Sequence, residues 1–305
     1  MNRLKTILLA LPILLAACSS TDDITTDKGK SVMKVNVGIN TTRNVTPYTA
    51  TTFGSGAQLG VRVIDGAGTT GNYNFQNALY TSGVNEENEQ IWTLGTFNED
   101  GDGIIITENY AKAMAYYPWT ENLDAAAIPI DCSTETDWMY CTWRPQFNYT
   151  TPTVSFAMQH AQSIIKVVFQ NAPSPDTYTG NMTLKKLTVE GSCLARAGTL
   201  NATTGALSSQ TGNSYVINYT TEQLGTFAAQ QDYVLTTGTS GTITFTLEIG
   251  TSKYSATTAA LTLQQGYIYQ YVLTISDTKL IIDPVTIIPW VNVEPITIEG
   301  EEQES

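Results

Sequence analysis

The sequence predicts an all-β protein, and three observations carry that prediction. Threonine, tyrosine, valine and isoleucine are abundant, while charged residues make up only 14% of the 305-residue chain, a composition suited to strands around a filled core. Apolar residues recur at alternate positions in many short segments separated by Gly, Pro, Asn and Asp, as half-buried strands joined by turns require. No segment longer than about ten residues carries a helical period; 221–230 is the best short helical candidate.

Arg3 and Lys5 precede an apolar run over 7–17, the layout of a signal peptide. The run is too short to span a bilayer, which takes about 20 apolar residues. It ends in Leu15-Ala16-Ala17-Cys18, followed by Ser19-Ser20, which looks like a lipobox. Removal of 1–17 and acylation of Cys18 are the expectation. Residues 18–31 are polar and read as a tether.

The remainder is long enough for two β-sandwiches, an N-terminal one over 32–152 and a C-terminal one over 153–305, with the boundary near Pro152. Met33, Val35, Val37 and Ile39 share one face of the first strand, with Lys34, Asn36 and Gly38 on the other. A polar segment over 41–56 follows, with Arg43 as its single basic residue. Alternation at Leu59, Val61 and Val63 ends in an Asp65-Gly66 turn. Strands over 92–97 and 103–107 flank a hairpin tip at 98–103. Asn98, Asp100 and Asp102 have the spacing of a calcium-loop start, but the twelfth position is Asn109, which favours a plain hairpin and no metal. A strand over 111–119 is stopped by Tyr117-Pro118-Trp119, and 131–152 reads as an irregular aromatic loop or a covered edge. Strands are predicted over 154–158, 163–169, 182–190, 215–219, 233–236, 242–249, 259–264, 267–275, 281–288 and 291–298, with a bulge at Lys185-Lys186.

The chemistry is sparse. A net charge of −13 repels phosphate backbones, so no nucleic-acid partner is expected, and the lipid is the membrane contact. Cys132 and Cys141 lie close in sequence and can pair in an oxidising envelope, with two free thiols as the alternative; Cys193 reads as a buried thiol. His160 shares a face with Phe156 and Met158 and reads as a hydrogen-bonded core or edge histidine. No positioned nucleophile or carboxylate pair accompanies it, so neither an enzyme nor a cofactor is predicted. Trp138, Tyr140 and Trp143 admit two readings: an exposed platform for a glycan or host protein, or packing against a sandwich edge.

One order of features goes further. A lipobox and polar tether lead into an alternating strand closed by Thr42-Arg43. Tyr117-Pro118-Trp119 follows, then the run 156–169 (Phe-Ala-Met-Gln-His-Ala-Gln-Ser-Ile-Ile-Lys-Val-Val-Phe), and the chain closes with 261–275 and Ile287-Ile288-Pro289-Trp290. Together these resemble the fimbrillins, the type V pilus subunits of Bacteroides-type bacteria; Asp22-Asp23 likewise resembles their acidic surface-export signals. The resemblance implies two transthyretin-like β-sandwiches, a lipidated precursor at the surface of the outer membrane, and a fimbrium of homo- or heteropolymeric subunits that contributes to adhesion. It also implies cleavage by an arginine-specific protease between Arg43 and Asn44. The strand bearing Met33, Val35, Val37 and Ile39 is then displaced, and a neighbouring subunit's Val291, Val293, Ile296 and Ile298 fill its groove. Pro295 interrupts the alternation of that donor. Two alternatives stand: 33–39 and 291–298 pair within one monomer, or the protein stays lipid-anchored as a tip, anchor or accessory adhesin.

Overall fold

The computed structural model describes residues 29–39, 53–95, 103–219 and 231–290. The first part contains β1 (Ser31–Val32), β2 (Lys34–Ile39), β3 (Gln58–Asp65), β4 (Asn74–Val84), β5 (Gln90–Leu94), β6 (Ile105–Ile106), β7 (Ala111–Tyr117), β8 (Ile128–Asp131), β9 (Met139–Cys141) and β10 (Thr153–His160). It continues with β11 (Ser163–Asn171), β12 (Leu184–Gly191), β13 (Ala197–Asn201), β14 (Ala206–Thr211), β15 (Ser214–Asn218), β16 (Gln231–Thr236), β17 (Ser240–Gly241), β18 (Ile243–Ile249), β19 (Ser252–Thr257), β20 (Leu261–Thr262), β21 (Tyr267–Ile275), β22 (Leu280–Ile282) and β23 (Thr286–Pro289). Among the described residues the one helical element is a short 3-10 turn at Cys132–Thr134.

A seven-stranded sheet runs β2-β10-β9-β7-β3-β4-β5. Its centre is buried on both faces. Ala111, Ala113 and Ala115 of β7 join one core, while Met114 and Tyr116 join another, so β7 reads as a nearly continuous apolar run. Gly60 stands opposite Tyr116 because a Cβ there would collide with the Tyr116 ring. The first core unites Met33, Val35, Val154, Phe156 and Met158 with Leu59, Val61, Val63 and Tyr80: β2 and β10 are laid over the strands centred on β3.

A second core lies between the sheets β16-β11-β21-β22 and β15-β12-β18-β19, with Phe169, Leu187, Phe245, Tyr271 and Leu273 in it. β12 shifts register between Leu184 and Lys186, where the bulge was expected. A third cluster joins the two parts. It takes Tyr116, Trp138, Tyr140, Ile164, Leu200, Leu235, Ile268 and Trp290, and the β13-β14 hairpin extends it by pairing with β8.

Several boundaries depart from expectation. β10 belongs to the first sheet, and sheet membership changes between His160 and Ser163. The stretch 131–152 contains β9, an inner strand between β10 and β7. Asp283-Pro284 divides the expected strand over 281–288 into β22 and β23, because proline supplies no N–H to the β21 ladder. β4 was missed because its inward positions include Ala78 and Ser82; the Ser82 hydroxyl donates to Gly54 O and accepts from Ala57 N–H. The expected hairpin over 92–107 is not formed, since β5 pairs with β4 and β6 with β1; residues 98–102 of its tip, the helical candidate, Cys18, Arg43, Asn44 and the donor residues Val291, Val293, Ile296 and Ile298 lie outside the described residues.

Asp65 organises the β3–β4 turn. Its carboxylate accepts from Thr69 Oγ1, Gly71 N, Asn72 N and Tyr73 N, each at 2.9 Å. Burial raises its pKa, but these hydrogen bonds together outweigh it and hold the group below the ordinary carboxylate value. A folded-state pKa below the unfolded one adds stability above the carboxylate range, which is lost as pH falls through it. The melting-temperature advantage of wild type over Asp65→Asn is therefore largest near pH 7 and shrinks on acidification. A gap that does not change with pH would contradict this account of the turn.

Candidate functional site

β2 ends the seven-stranded sheet and is held on one side by β10, in parallel, with Lys34 opposite Thr153 and Ile39 opposite Met158. Its entry is fixed by the β1–β6 pair, by Met33 N donating to Ile104 O at 2.8 Å, and by Ser31 Oγ donating to Tyr149 O at 3.0 Å. The alternation is as the sequence predicted. Met33 and Val35 are buried, Val37 and Ile39 half-buried, and Lys34, Asn36 and Gly38 exposed. Burying Met33 and Val35 contributes about 3–6 kcal/mol, a large share of a typical domain's about 5–15 kcal/mol. The first core depends on that strand position being filled.

Between β2 and β5, at the two ends of the sheet, runs a cleft of about 470 Å³. Val32 to Asn36 form one wall, and Tyr80 with Gln90 to Leu94 the other. Tyr80 and Trp92 are 2% and 8% exposed, and among the described residues neither Tyr80 Oη nor Trp92 Nε1 has a hydrogen-bond partner. Burial pushes the Tyr80 phenol well up, so it stays protonated. Sequence reasoning passed over both residues: their aromatic bodies satisfy a strand pattern, and nothing in that pattern reports whether a polar tip is paired.

The structure brings the aromatic candidates together, but inside the protein. Trp138 and Tyr140 are 8% and 7% exposed within the third cluster, so they form no exposed platform. The Trp138 backbone N–H donates to Gln162 Oε1, and Tyr140 Oη to Gln265 Oε1. Trp143 is half-buried, with Lys112 Nζ and Arg62 Cζ at 5.0 and 5.7 Å from its ring centroid. Of the two readings of Cys132 and Cys141, the structure has the free thiols. Alternation along β9 turns Cys141 with Met139 into the first core, whereas Cys132 lies in the third cluster. Burial raises both thiols, and that of Cys193 to about 11.

His160, at the end of β10, is buried and bonds Asp137 Oδ1 through Nδ1 at 2.9 Å. Its ring stacks on Trp290, with centroids 3.8 Å apart and planes 4° from parallel. Trp290 is 2% exposed, and its backbone N–H donates to Gly266 O at 2.7 Å. The last described residue is therefore seated in the third cluster, next to the strand that holds β2. Asp137 was not singled out in sequence, and Trp290 entered only as the end of the Ile287-Ile288-Pro289-Trp290 motif, since only the fold brings both to His160.

The family model for fimbrillin-like proteins matches residues 42–290. The chain belongs to the fimbrillin-like family. No curated protein sequence matches this fimbrillin-like chain. Solved structures with the same fold include a candidate cell adhesion protein from Bacteroides uniformis at 19% identity, with a TM-score of 0.61 over 87% of this chain and 99% of that one. A second candidate cell adhesion protein, from Bacteroides ovatus, has 18% identity and a TM-score of 0.61 over 88% and 100%. The C-terminally truncated tip fimbrial protein Mfa3 from Porphyromonas gingivalis has 9% identity and a TM-score of 0.51 over 86% and 100%. At these identities the likeness is one of fold.

Burial of Trp138 has a direct consequence for the fimbrillin-like fold. Trp138→Ala lowers stability by about 3–5 kcal/mol, read as a fall in the denaturant midpoint. An unchanged midpoint would return Trp138 to the surface and reopen the platform reading.

Proposed function

We propose that this fimbrillin-like chain is a fimbrial subunit, exported as a lipoprotein through Cys18 and assembled by donor-strand exchange. Cleavage between Arg43 and Asn44 frees the segment that carries β2, and Val291, Val293, Ile296 and Ile298 of another subunit enter its place. The work of the chain is structural, its partners are other fimbrial subunits, and its destination is the fimbrium at the cell surface.

The observation that carries this reading is the position of β2. It is the first long strand, it is held along one edge by β10, and it fills the first core with Met33 and Val35. While covalently joined, β2 has an effective concentration near the groove of about millimolar or more. After a cut at Arg43 the same contacts must hold a separate peptide, which dilution removes. The groove then presents apolar surface and the unpaired edge of β10, the template for β-strand addition. The family match begins at residue 42, beside Arg43, leaving β2 outside it.

The test is the N-terminus of the protein in purified filaments. Asn44 is the expected first residue, and Arg43→Ala is expected to leave the protein lipidated and unpolymerised. Filaments whose subunits retain acylated Cys18 would reject exchange of β2 and identify a permanently anchored surface lipoprotein, with a glycan or host protein as the partner to seek.

A further inference from the structure

We propose that Tyr80 Oη and Trp92 Nε1 form a polar reader in the groove, kept for the Glu294-Pro295 break in the incoming strand of a second copy. This rests on the strand-exchange reading above and names what the groove selects. The two residues are neighbours on one face: Tyr80 pairs with Leu94 and Ser82 with Trp92 across β4 and β5, which places Tyr80 and Trp92 on the diagonal. Both line the cleft along β2, both are more than nine-tenths buried, and both polar atoms lack a partner among the described residues.

The resident strand gives them nothing. β2 turns Met33 and Val35 inward, while Lys34 and Asn36 are exposed. A buried polar atom left without a partner opposes the state that contains it, so these two atoms count against β2.

The C-terminal segment has a different pattern. Val291 and Val293 are one alternation apart, as are Ile296 and Ile298, but Val293 and Ile296 are three residues apart. All four side chains face one core only if the strand takes an extra residue at Glu294-Pro295, as a bulge does. Proline supplies no N–H there, and a bulge turns carbonyl groups out of the ladder. Acceptors are thus left over where the groove holds two donors: an indole N–H, which only donates, and a protonated phenol. The segment beyond Trp290 runs over 291–305, longer than the six-residue β2 that it replaces. Trp290 stays buried in its own subunit.

The account predicts effects of opposite sign on the two states. The experiment cleaves the mature full-length chain with an arginine-specific protease in the presence of a labelled synthetic peptide of residues 290–300, and reads binding by fluorescence anisotropy. Tyr80→Phe and Trp92→Phe are compared with wild type, and the native peptide with one lacking Pro295. Tyr80→Phe should leave the melting temperature of the uncleaved protein unchanged or raised, and weaken the native peptide about tenfold, the loss of one hydrogen bond. Wild type should prefer the native peptide to the shortened one, and both variants should lose that preference. Equal binding of the native peptide by wild type and both variants would overturn the reader and leave strand exchange standing. A lowered melting temperature for uncleaved Tyr80→Phe would also overturn it, because the hydroxyl would then be in use with β2 in place. No peptide binding by any of the proteins would overturn the reader and the exchange reading together.

Discussion

The edge of β10 that β2 occupies is the constraint on which the structure turns. β10 and β2 together lay Val154, Phe156, Met158, Met33 and Val35 over the strands centred on β3. A layer of two strands has no redundancy. Without β2, β10 keeps only its short pairing with β9 at Gln159 and His160, and a core that includes Leu59, Val61 and Tyr80 loses part of its cover. Something extended and apolar on alternate residues must occupy that edge, whether it comes from this chain or another.

The rest of the fold keeps this demand local. The second core, between the β11 and β12 sheets, contains none of the β2 contacts. The third cluster ties the parts together with large aromatic side chains, including Tyr116, Trp138, Tyr140 and Trp290. Its position explains why Trp138 and Tyr140 are buried rather than displayed: β9 threads this stretch through the sheet, and the seam takes those two rings. The same seam seats Trp290 against His160, close to where β10 ends. The root of the C-terminal segment and the edge that needs a strand are thus both tied to β10.

Much of this was legible in sequence, and the failures have physical causes. β2, β3, β11, β18 and β21 declare themselves by alternation, since each has one face on a core and the other outward or in a seam. The β12 bulge is visible because Lys185-Lys186 breaks that rhythm. β9 was hidden because three residues are too few to show a period and because all three are buried. The pairing of β10 with β2 was not legible because Pro152 is a strong punctuator, whereas sheet membership is decided by pairing partners far away in sequence. Tyr80 went unnoticed with the rest of β4, and Trp92 served only to open a predicted strand. A pattern of side-chain types says which face is inward, but not whether a buried hydroxyl or indole N–H finds a partner.

Hydrogen–deuterium exchange on β10 tests the central claim most directly. The amides of Thr153 to Met158 are followed in the uncleaved protein, just after cleavage at Arg43, and in assembled filaments. The account predicts slow exchange in the first state, fast exchange in the second and slow exchange again in the third, with the β11 and β21 amides protected throughout. Protection of β10 that does not change on cleavage, or that is lost and never regained in filaments, would contradict it.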